Sequence, residues 1–329
     1  MNILINGFGR IGRTILRQVL AGTAHRDIKV VGINDIAPID TCVYLFRYDS
    51  VFGPYPGDVV ARDGIEIDGQ VIPFSAHSDI SVMDLSGVDL VLECTGKANT
   101  RAVAERGLEA GAGAVLISGP SDAADVTLVL GVNEDKLGDA RIVSNASCTT
   151  NAIAPLLHVI DQGLGIESAH ITTIHCYTGS QPTVDAPGPS LERSRAAAVS
   201  MVPTSTSAAT QIARILPDID GRLSVSAVRV PCISVSAVDA VIQLRDGVST
   251  DANAELASLF EGSPVVGVTA DRCVSSDLRA RPESLILALP ETEQIGEHQV
   301  RVFGWYDNEW GFSARMIDMA RRMVARGAA

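Results

Sequence analysis

The sequence predicts two domains of different class: a doubly wound α/β domain on a parallel sheet, then an α+β domain with a mostly antiparallel sheet. Three observations predict it. At 329 residues the chain is long for a single hydrophobic core. Up to about Asn145, short and continuously apolar runs alternate with helical patterns, which is how strands covered on both faces read. After Cys148 the runs lengthen and alternate with polar residues, as strands with one wetter face do.

In chain order, Ile3 to Ile5 reads as a strand, Ile11 to Leu20 as a helix and Ile28 to Ile33 as a strand. Asp89 to Cys94 is a further strand, Arg101 to Ala110 a helix and Ala114 to Ser118 a strand. Beyond Cys148, Ala152 to Gln162 has helical composition, although Pro155 should distort its early turns. Alternating strands follow at Ala169 to Tyr177, Ser224 to Val230, Ser236 to Leu244 and Val300 to Trp305. Asn253 to Leu259 and Ser313 to Arg326 read as helices, the last expected to return to the first domain. Thr178 to Ser200, rich in Gly, Pro, Ser and Arg, has no period; so long a loop is usually functional, which makes it a candidate ligand or subunit contact.

Apolar residues make up 46% of the chain and charged residues 20%, the balance of a soluble globular protein. A formal charge of −13 argues against nucleic acid or an anionic membrane as the main partner, so an anionic ligand needs a local cluster of arginines. The first strand starts at Asn2, leaving no room for a cleaved signal segment, and no apolar run reaches bilayer length. The six cysteines, Cys42, Cys94, Cys148, Cys176, Cys232 and Cys273, are dispersed without a Cys-x-x-Cys pair. No disulfide framework and no metal site are expected, and the cytoplasm is the expected compartment.

Gly7, Gly9 and Gly12 form a Gly-x-Gly-x-x-Gly turn. Alone that is weak, because glycines mark many tight turns; here it follows a strand, opens a helix and precedes a strand ending in Asn34-Asp35. Gly7 permits the turn, Gly9 lets a pyrophosphate approach the backbone, Gly12 lets helix and strand pack, and the helix N-terminus favours the anion. Asp35 then accepts hydrogen bonds from the adenosine ribose and repels a 2′-phosphate, so a Rossmann-type site for NAD rather than NADP is expected. The competing reading is a purely structural turn with a solvated Asp35.

Cys148 lies in Ser147-Cys148-Thr149-Thr150-Asn151, at the start of the helical stretch. There the positive end of the helix dipole is expected to lower its pKa and favour the thiolate. Cys42, Cys94, Cys232 and Cys273 read as inert. His175 is the candidate partner: on an alternating strand it shares a face with Thr173 and Tyr177, while Cys176 points away with Thr172 and Ile174. The pattern alone leaves His175 either structural or catalytic. Thr178, Arg193, Arg195, Thr206, Ser207 and Arg229 gather hydroxyls and guanidiniums after the cysteine, as phosphate recognition requires, although surface arginines are commonly just solvated.

With these residues in view, the chain resembles the phosphorylating glyceraldehyde-3-phosphate dehydrogenases over nearly its whole length. The resemblance runs from Asn6-Gly7-Phe8-Gly9-Arg10-Ile11-Gly12-Arg13 through Ser144-Asn145-Ala146-Ser147-Cys148-Thr149-Thr150-Asn151 to Trp305-Tyr306-Asp307-Asn308-Glu309-Trp310-Gly311. It implies an NAD-binding domain of residues 1–147 completed by the C-terminal helix 312–329, a catalytic domain of residues 148–311, and a homotetramer. It implies that Cys148 attacks the aldehyde to give a thiohemiacetal and then a thioester, with His175 as base, and that inorganic phosphate releases the acyl phosphate. Thr178 and Arg229 are implied to hold the phosphate of the phosphorylated aldehyde substrate; Ser147, Thr149, Arg193, Thr206 and Ser207 are implied to lie near the incoming phosphate. For the cofactor it implies Phe8, Arg10, Ile11 and Asn34 beside the glycines and Asp35, with Thr95, Gly96 and Ser118 lining it and Asn308 fixing the nicotinamide carboxamide.

The chain departs from that family's usual residues at Ser207 (commonly Gly), Ser180 (often Asp), Lys97, Phe52, Ala314 (usually Asn) and Ala152 (a frequent second cysteine). Erythrose-4-phosphate dehydrogenases share the scaffold and the thiol chemistry and are the nearest alternative. Tyr177-Thr178-Gly179-Ser180-Gln181 and Ser205-Thr206-Ser207-Ala208-Ala209 resemble the triose enzymes more. A non-catalytic NAD-binding or redox-sensing protein is the alternative from a different class.

Overall fold

The computed structural model describes residues 1–248 and 251–327; the last two residues of the 312–329 segment lie outside the described residues. Two compact units emerge, one of residues 1–128, 134–147 and 313 onward, the other of residues 129–133 and 148–312. No helix among the described residues is long and apolar enough to cross a membrane.

The first unit opens with β1 (Asn2–Asn6) and β2 (Lys29–Asn34). A small separate sheet of β3 (Val59–Ala61), β4 (Ile65–Ile67) and β5 (Gln70–Ile72) intervenes before β6 (Phe74–Ser75), β7 (Leu90–Glu93), β8 (Ala114–Ile117), β9 (Val126–Thr127) and β10 (Ile142–Ser144). The main sheet runs β6-β2-β1-β7-β8-β10-β9 with every pairing parallel. Parallel strands covered on both faces must be apolar throughout, and Leu4, Ile5, Leu90, Val91 and Leu92 are all buried. From β1 the order steps one way to β2 and the other way to β7 and β8, which leaves a crevice at the carboxyl ends. Asn6 stands in register with Asn34 on one side and Glu93 on the other, so these three ends share one row.

Helices α1 (Arg10–Leu20) and α2 (Ile39–Arg47) follow β1 and β2. The single helix expected over Arg101 to Ala110 is two short ones, α3 (Arg101–Ala104) and α4 (Arg106–Glu109), joined at Glu105 with its backbone still in the right-handed region. Gly107 explains the dip: a Cβ there would lie 2.9 Å from Val115 and 3.0 Å from Val91, so this turn presses onto β7 and β8.

The second unit is led by α5 (Cys148–Leu164), which runs through Pro155 without a break. Ala152, Ile153, Leu156, Leu157 and Ile160 are wholly buried, so packing holds the helix together where propensity alone would not. Eight strands follow: β11 (Ile166–Cys176), β12 (Val202–Thr204), β13 (Leu223–Val230), β14 (Ser236–Leu244), β15 (Val266–Thr269), β16 (Leu285–Ala288), β17 (Glu293–Ile295) and β18 (Gln299–Tyr306). The order is β12-β13-β11-β14-β18-β16-β15, with β17 on β18. It is mostly antiparallel, but β11 pairs with β13 in parallel, as does β15 with β16. The parallel β11–β13 pairing needs a long crossover, and the segment between them, which includes the 178–200 stretch and α6 (Ala208–Ile215), supplies it. Its register sets His175 opposite Arg229. The unit also contains α7 (Ala252–Leu259); α8 (Trp310–Gly327) begins in it and continues in the first unit from Ser313.

Candidate active site

The crevice at the β1 and β7 ends is a cleft lined by Asn6, Gly7, Gly9, Asn34, Asp35 and Thr95, among others. Its glycines fit a dinucleotide for three separate reasons. Gly7 has φ +94° and lies so close to β7 that a Cβ would sit 2.7 Å from the Cys94 and Thr95 backbone. A Cβ on Gly12 would sit 2.2 Å from the Gly7 carbonyl oxygen, whereas Gly9 has nothing within 4 Å of that position and stays open to a ligand. Asp35 accepts from the Phe8 N–H at 2.6 Å and the Ala37 N–H at 2.8 Å, which fixes the carboxylate while leaving acceptor capacity for ribose hydroxyls.

The other cofactor candidates also make contacts within the unit. Asn34 lines the cleft and hydrogen-bonds through its amide to Asn6, Ser75 and His77, which holds the strand ends together. Arg10 pairs with Asp49 at 2.5 Å and covers the Phe52 ring. Phe8 is buried and Ile11 half-buried. Thr95 is tied to Glu93 through its N–H and hydroxyl, and Gly96, next in the chain, has φ +69°. Ser118 donates its N–H to the Glu93 carbonyl at 2.9 Å. The sequence reading missed His77, Ser78 and Arg106, which also line the cleft; His77 and Ser78 lie in the loop after β6 and Arg106 opens α4, so no shared period signals them.

In the second unit Cys148 is the first residue of α5, and Ala146 just before it turns the chain with φ +54°. Cys148 Sγ lies 3.6 Å from His175 Nε2, within reach of the longer hydrogen bonds of sulfur. The alternation on β11 delivered this: Thr173 and His175 face inward together, and the Tyr306 hydroxyl touches Thr173 Oγ1 at 2.7 Å and Thr149 Oγ1 at 3.1 Å. Tyr306 also sets its ring edge-on to the imidazole, a role the sequence reading did not assign although the residue lies in a quoted motif. Cys176 is buried on the other face, where its Sγ donates to Asn308 Oδ1 at 3.1 Å. Ser236 Oγ donates to the same oxygen at 3.2 Å, so Asn308 keeps its NH₂ as the end available to a ligand carbonyl.

The expected lowering of the Cys148 pKa is overturned. Burial raises this thiol above its ordinary value and outweighs the Thr149 hydrogen bond, the Arg229 charge and the helix N–H groups, all of which pull it down. Burial, reinforced by the Arg229 charge, pushes His175 down to about 4. Burial therefore works against charge on both partners of this pair. Burial pushes the unused thiols Cys42, Cys94 and Cys176 up to about 11, about 12 and about 12, which makes them poor nucleophiles.

The structure treats the anion candidates unequally. Arg229 Nη1 reaches the Cys176 carbonyl at 2.8 Å and His175 Nδ1 at 2.7 Å. Thr178 and Ser180 join their hydroxyls at 3.0 Å. Arg193 is bound to Thr204 and the Ser205 carbonyl, Arg195 pairs with Asp185 at 2.8 Å on an exposed loop, and Thr206 accepts from the Ala208 N–H. Ser207 accepts from Gln211 Nε2 at 3.3 Å and Gln211 accepts from Thr150 at 2.9 Å, so its hydroxyl proton remains available to an anion.

A doubly wound unit with a dinucleotide turn and a unit with a cysteine–histidine pair define a class: nicotinamide-dependent oxidoreductases that work through a protein thiol. Residues 1–101 match the family model described as glyceraldehyde 3-phosphate dehydrogenase, NAD binding domain, and residues 147–308 match that of the C-terminal domain of the same family. The chain is 44% identical to the glyceraldehyde-3-phosphate dehydrogenase of Xanthobacter flavus, covering 99% of each chain. It is 44% identical to that of Pseudomonas aeruginosa over 99% of this chain and 98% of the other, and 40% identical to that of Streptomyces coelicolor over 96% of each. The chain belongs to the glyceraldehyde-3-phosphate dehydrogenase family, and its cofactor is NAD.

Proposed function

We propose that this protein oxidises glyceraldehyde 3-phosphate to 1,3-bisphosphoglycerate, with inorganic phosphate as co-substrate. The observation that carries the reading is Cys148 at the head of α5 with its sulfur 3.6 Å from His175 Nε2, in a chain matched end to end by relatives of that name. Cys148 passes its proton to His175 and attacks the aldehyde carbon, and the imidazolium returns that proton to the former carbonyl oxygen, giving a thiohemiacetal and a neutral His175. Backbone N–H groups of Cys148 and Thr149, with Arg229, stabilise the sulfur's charge. His175 then takes the hydroxyl proton of the thiohemiacetal. Gly7, Gly9, Gly12 and Asp35 would hold NAD, which would supply the hydride acceptor for oxidation of the thiohemiacetal to a thioester; Asn308 keeps its NH₂ for a carboxamide carbonyl. Inorganic phosphate attacks the thioester carbon, the C–S bond breaks, and Cys148 is regenerated.

In this reading Thr178 and Arg229 hold the substrate phosphate, and Ser147, Thr149, Arg193, Thr206 and Ser207 surround the incoming one. The free state of all six cysteines supports a reducing compartment, the cytoplasm. Exposed apolar side chains on the 178–201 stretch support assembly into a homotetramer. The test is the initial rate of NADH formation with glyceraldehyde 3-phosphate and with erythrose 4-phosphate, each with and without phosphate, beside Cys148→Ala. Phosphate-dependent oxidation preferring the triose and lost in Cys148→Ala is expected. A preference for the tetrose moves the substrate assignment, and turnover that survives Cys148→Ala overturns the thiol chemistry.

A further inference from the structure

Asn34, Asn6 and Glu93 stand at matching positions on three neighbouring parallel strands, so their side chains leave the sheet on one face and form a line along the cleft. Glu93 is 4% exposed, and among the described residues its carboxylate has hydrogen bonds only with Asn6 and Thr95. Asn6 Nδ2 donates to Oε2 at 2.5 Å, while Thr95 donates its N–H at 3.0 Å and its hydroxyl to Oε1. The Thr95 hydroxyl oxygen accepts the Lys97 N–H at 3.1 Å, which leaves its hydrogen for Glu93. Every partner of this carboxylate is a donor and none is a cation, the arrangement that a buried carboxylate without an ion pair requires.

Both ends of the line fix the direction of the hydrogen bonds within it. At one end the Glu93 carboxylate only accepts, so Asn6 turns its NH₂ to Glu93 and its carbonyl to Asn34, whose Nδ2 lies 2.8 Å away. At the other end the His77 backbone allows one orientation of Asn34: the His77 N–H donates to Oδ1 at 2.9 Å, and the His77 carbonyl accepts from Nδ2 at 2.9 Å. The two ends agree, and a fully satisfied line of this kind is rigid. It ties the loop after β6, which carries His77 and Ser78, to the loop after β7, which carries Thr95 and Lys97; all four residues line the cleft.

We infer that Glu93 is a positioning residue for the cofactor: its carboxylate aligns this line of side chains and so holds the two loops at the spacing NAD needs before NAD arrives. This rests on the reading of the cleft as the NAD site. Loops set in advance take nothing from binding, whereas loops that the ligand must order weaken it. Glu93→Gln keeps the size and shape of the side chain but, with Thr95 holding the remaining oxygen, sets an NH₂ against the NH₂ of Asn6. If Asn6 turns over to meet it, Asn34 must turn as well, and the conflict arrives at the His77 backbone, which cannot turn. Asn6→Asp in the same chain ends the conflict. The new carboxylate at position 6 accepts from the new amide at position 93 and from Asn34 Nδ2, Thr95 keeps its acceptor, and the net charge is unchanged.

Rescue decides. The native chain, Glu93→Gln and the double variant Glu93→Gln with Asn6→Asp would be compared at full length by fluorescence titration with NAD, by the KM for NAD against kcat, and by the thermal midpoint without ligand. Glu93→Gln is expected to weaken NAD binding about tenfold or more, and to raise the KM for NAD by more than it lowers kcat. The double variant is expected to bind NAD within about threefold of the native chain. A double variant no better than Glu93→Gln, in folding or in affinity, overturns the inference. One that regains the thermal midpoint but not the affinity makes Glu93 purely structural and overturns it too. Should Glu93→Gln alone fail to fold, a double variant that folds and binds NAD is the rescue expected. Gly9→Ala separates this inference from the reading it rests on. NAD affinity that falls in Gly9→Ala but not in Glu93→Gln removes the role of Glu93 and leaves the site; affinity unmoved in both removes the site as well.

Discussion

Burial and the neighbouring guanidinium hold the His175 ring neutral, and that has a cost in acid. The unfolded chain takes up a proton on this ring near pH 6.5, whereas the folded chain refuses it until about 4. Between those values the unfolded state binds more protons, so stability is complete above 6.5 and is lost as the pH falls through that window. At about pH 5 the loss from this ring is on the order of 2 kcal/mol. His175→Asn removes the titrating group. Urea unfolding at about pH 7.5 and about pH 5 should therefore show the native chain losing roughly 2 kcal/mol more than the variant between the two conditions. Equal losses would mean that the ring is not held neutral.

At the scale of elements, the turn from β1 into α1 separates the fold's needs from the ligand's. A Cβ on Gly12 meets the Gly7 carbonyl at 2.2 Å, a backbone atom that cannot swing aside, while a Cβ on Gly9 meets nothing within 4 Å. Gly12→Ala should therefore lower the thermal midpoint and weaken NAD binding together. Gly9→Ala should leave the midpoint of the unliganded protein unchanged and weaken NAD binding alone, by fluorescence titration. Undiminished affinity in Gly9→Ala would mean that the cofactor does not approach this backbone. This turn was legible in the sequence because its function is written in consecutive residues: three glycines at fixed spacing, a strand before and an acid after. Cys148 and His175 were legible for a related reason, since a helix start and a two-residue alternation say which way each side chain faces. The contact between Arg229 and His175 was not, because it depends on the parallel register of two strands more than fifty positions apart, and periodicity within a strand carries no register. The sign of the Cys148 shift was also hidden: the helix terminus is visible in sequence, but the burial that outweighs it is a property of the packed unit. Gly107 and the divided helix follow the same logic, a local pattern overridden by the strands beneath it.

Across the whole molecule, charge and apolar exposure pull association in opposite directions. Each copy carries −13, so copies repel, and salt at physiological strength screens that repulsion beyond about 8 Å. In the homotetramer proposed above, attraction has to come from short-range contacts, and the proposal assigns them to the 178–201 stretch, where Val184, Leu191, Val199 and Met201 are 72%, 89%, 80% and 74% exposed. A monomer seldom gathers so many open apolar side chains in one stretch, and a symmetric assembly covers them by setting like surfaces together. The balance predicts an unusual salt response. If ion pairs held the copies together, salt would dissociate them; with like charges opposed and apolar contacts in favour, added salt should tighten the assembly. Leu191→Asp with Met201→Asp should dissociate it, because each substitution buries a charge at the contact and adds to the repulsion. Sedimentation velocity across a salt series, on the native chain and the double variant, measures both effects. A native chain that falls apart as salt rises would put ion pairs at the interface, and a double variant that stays assembled would place the interface on another surface.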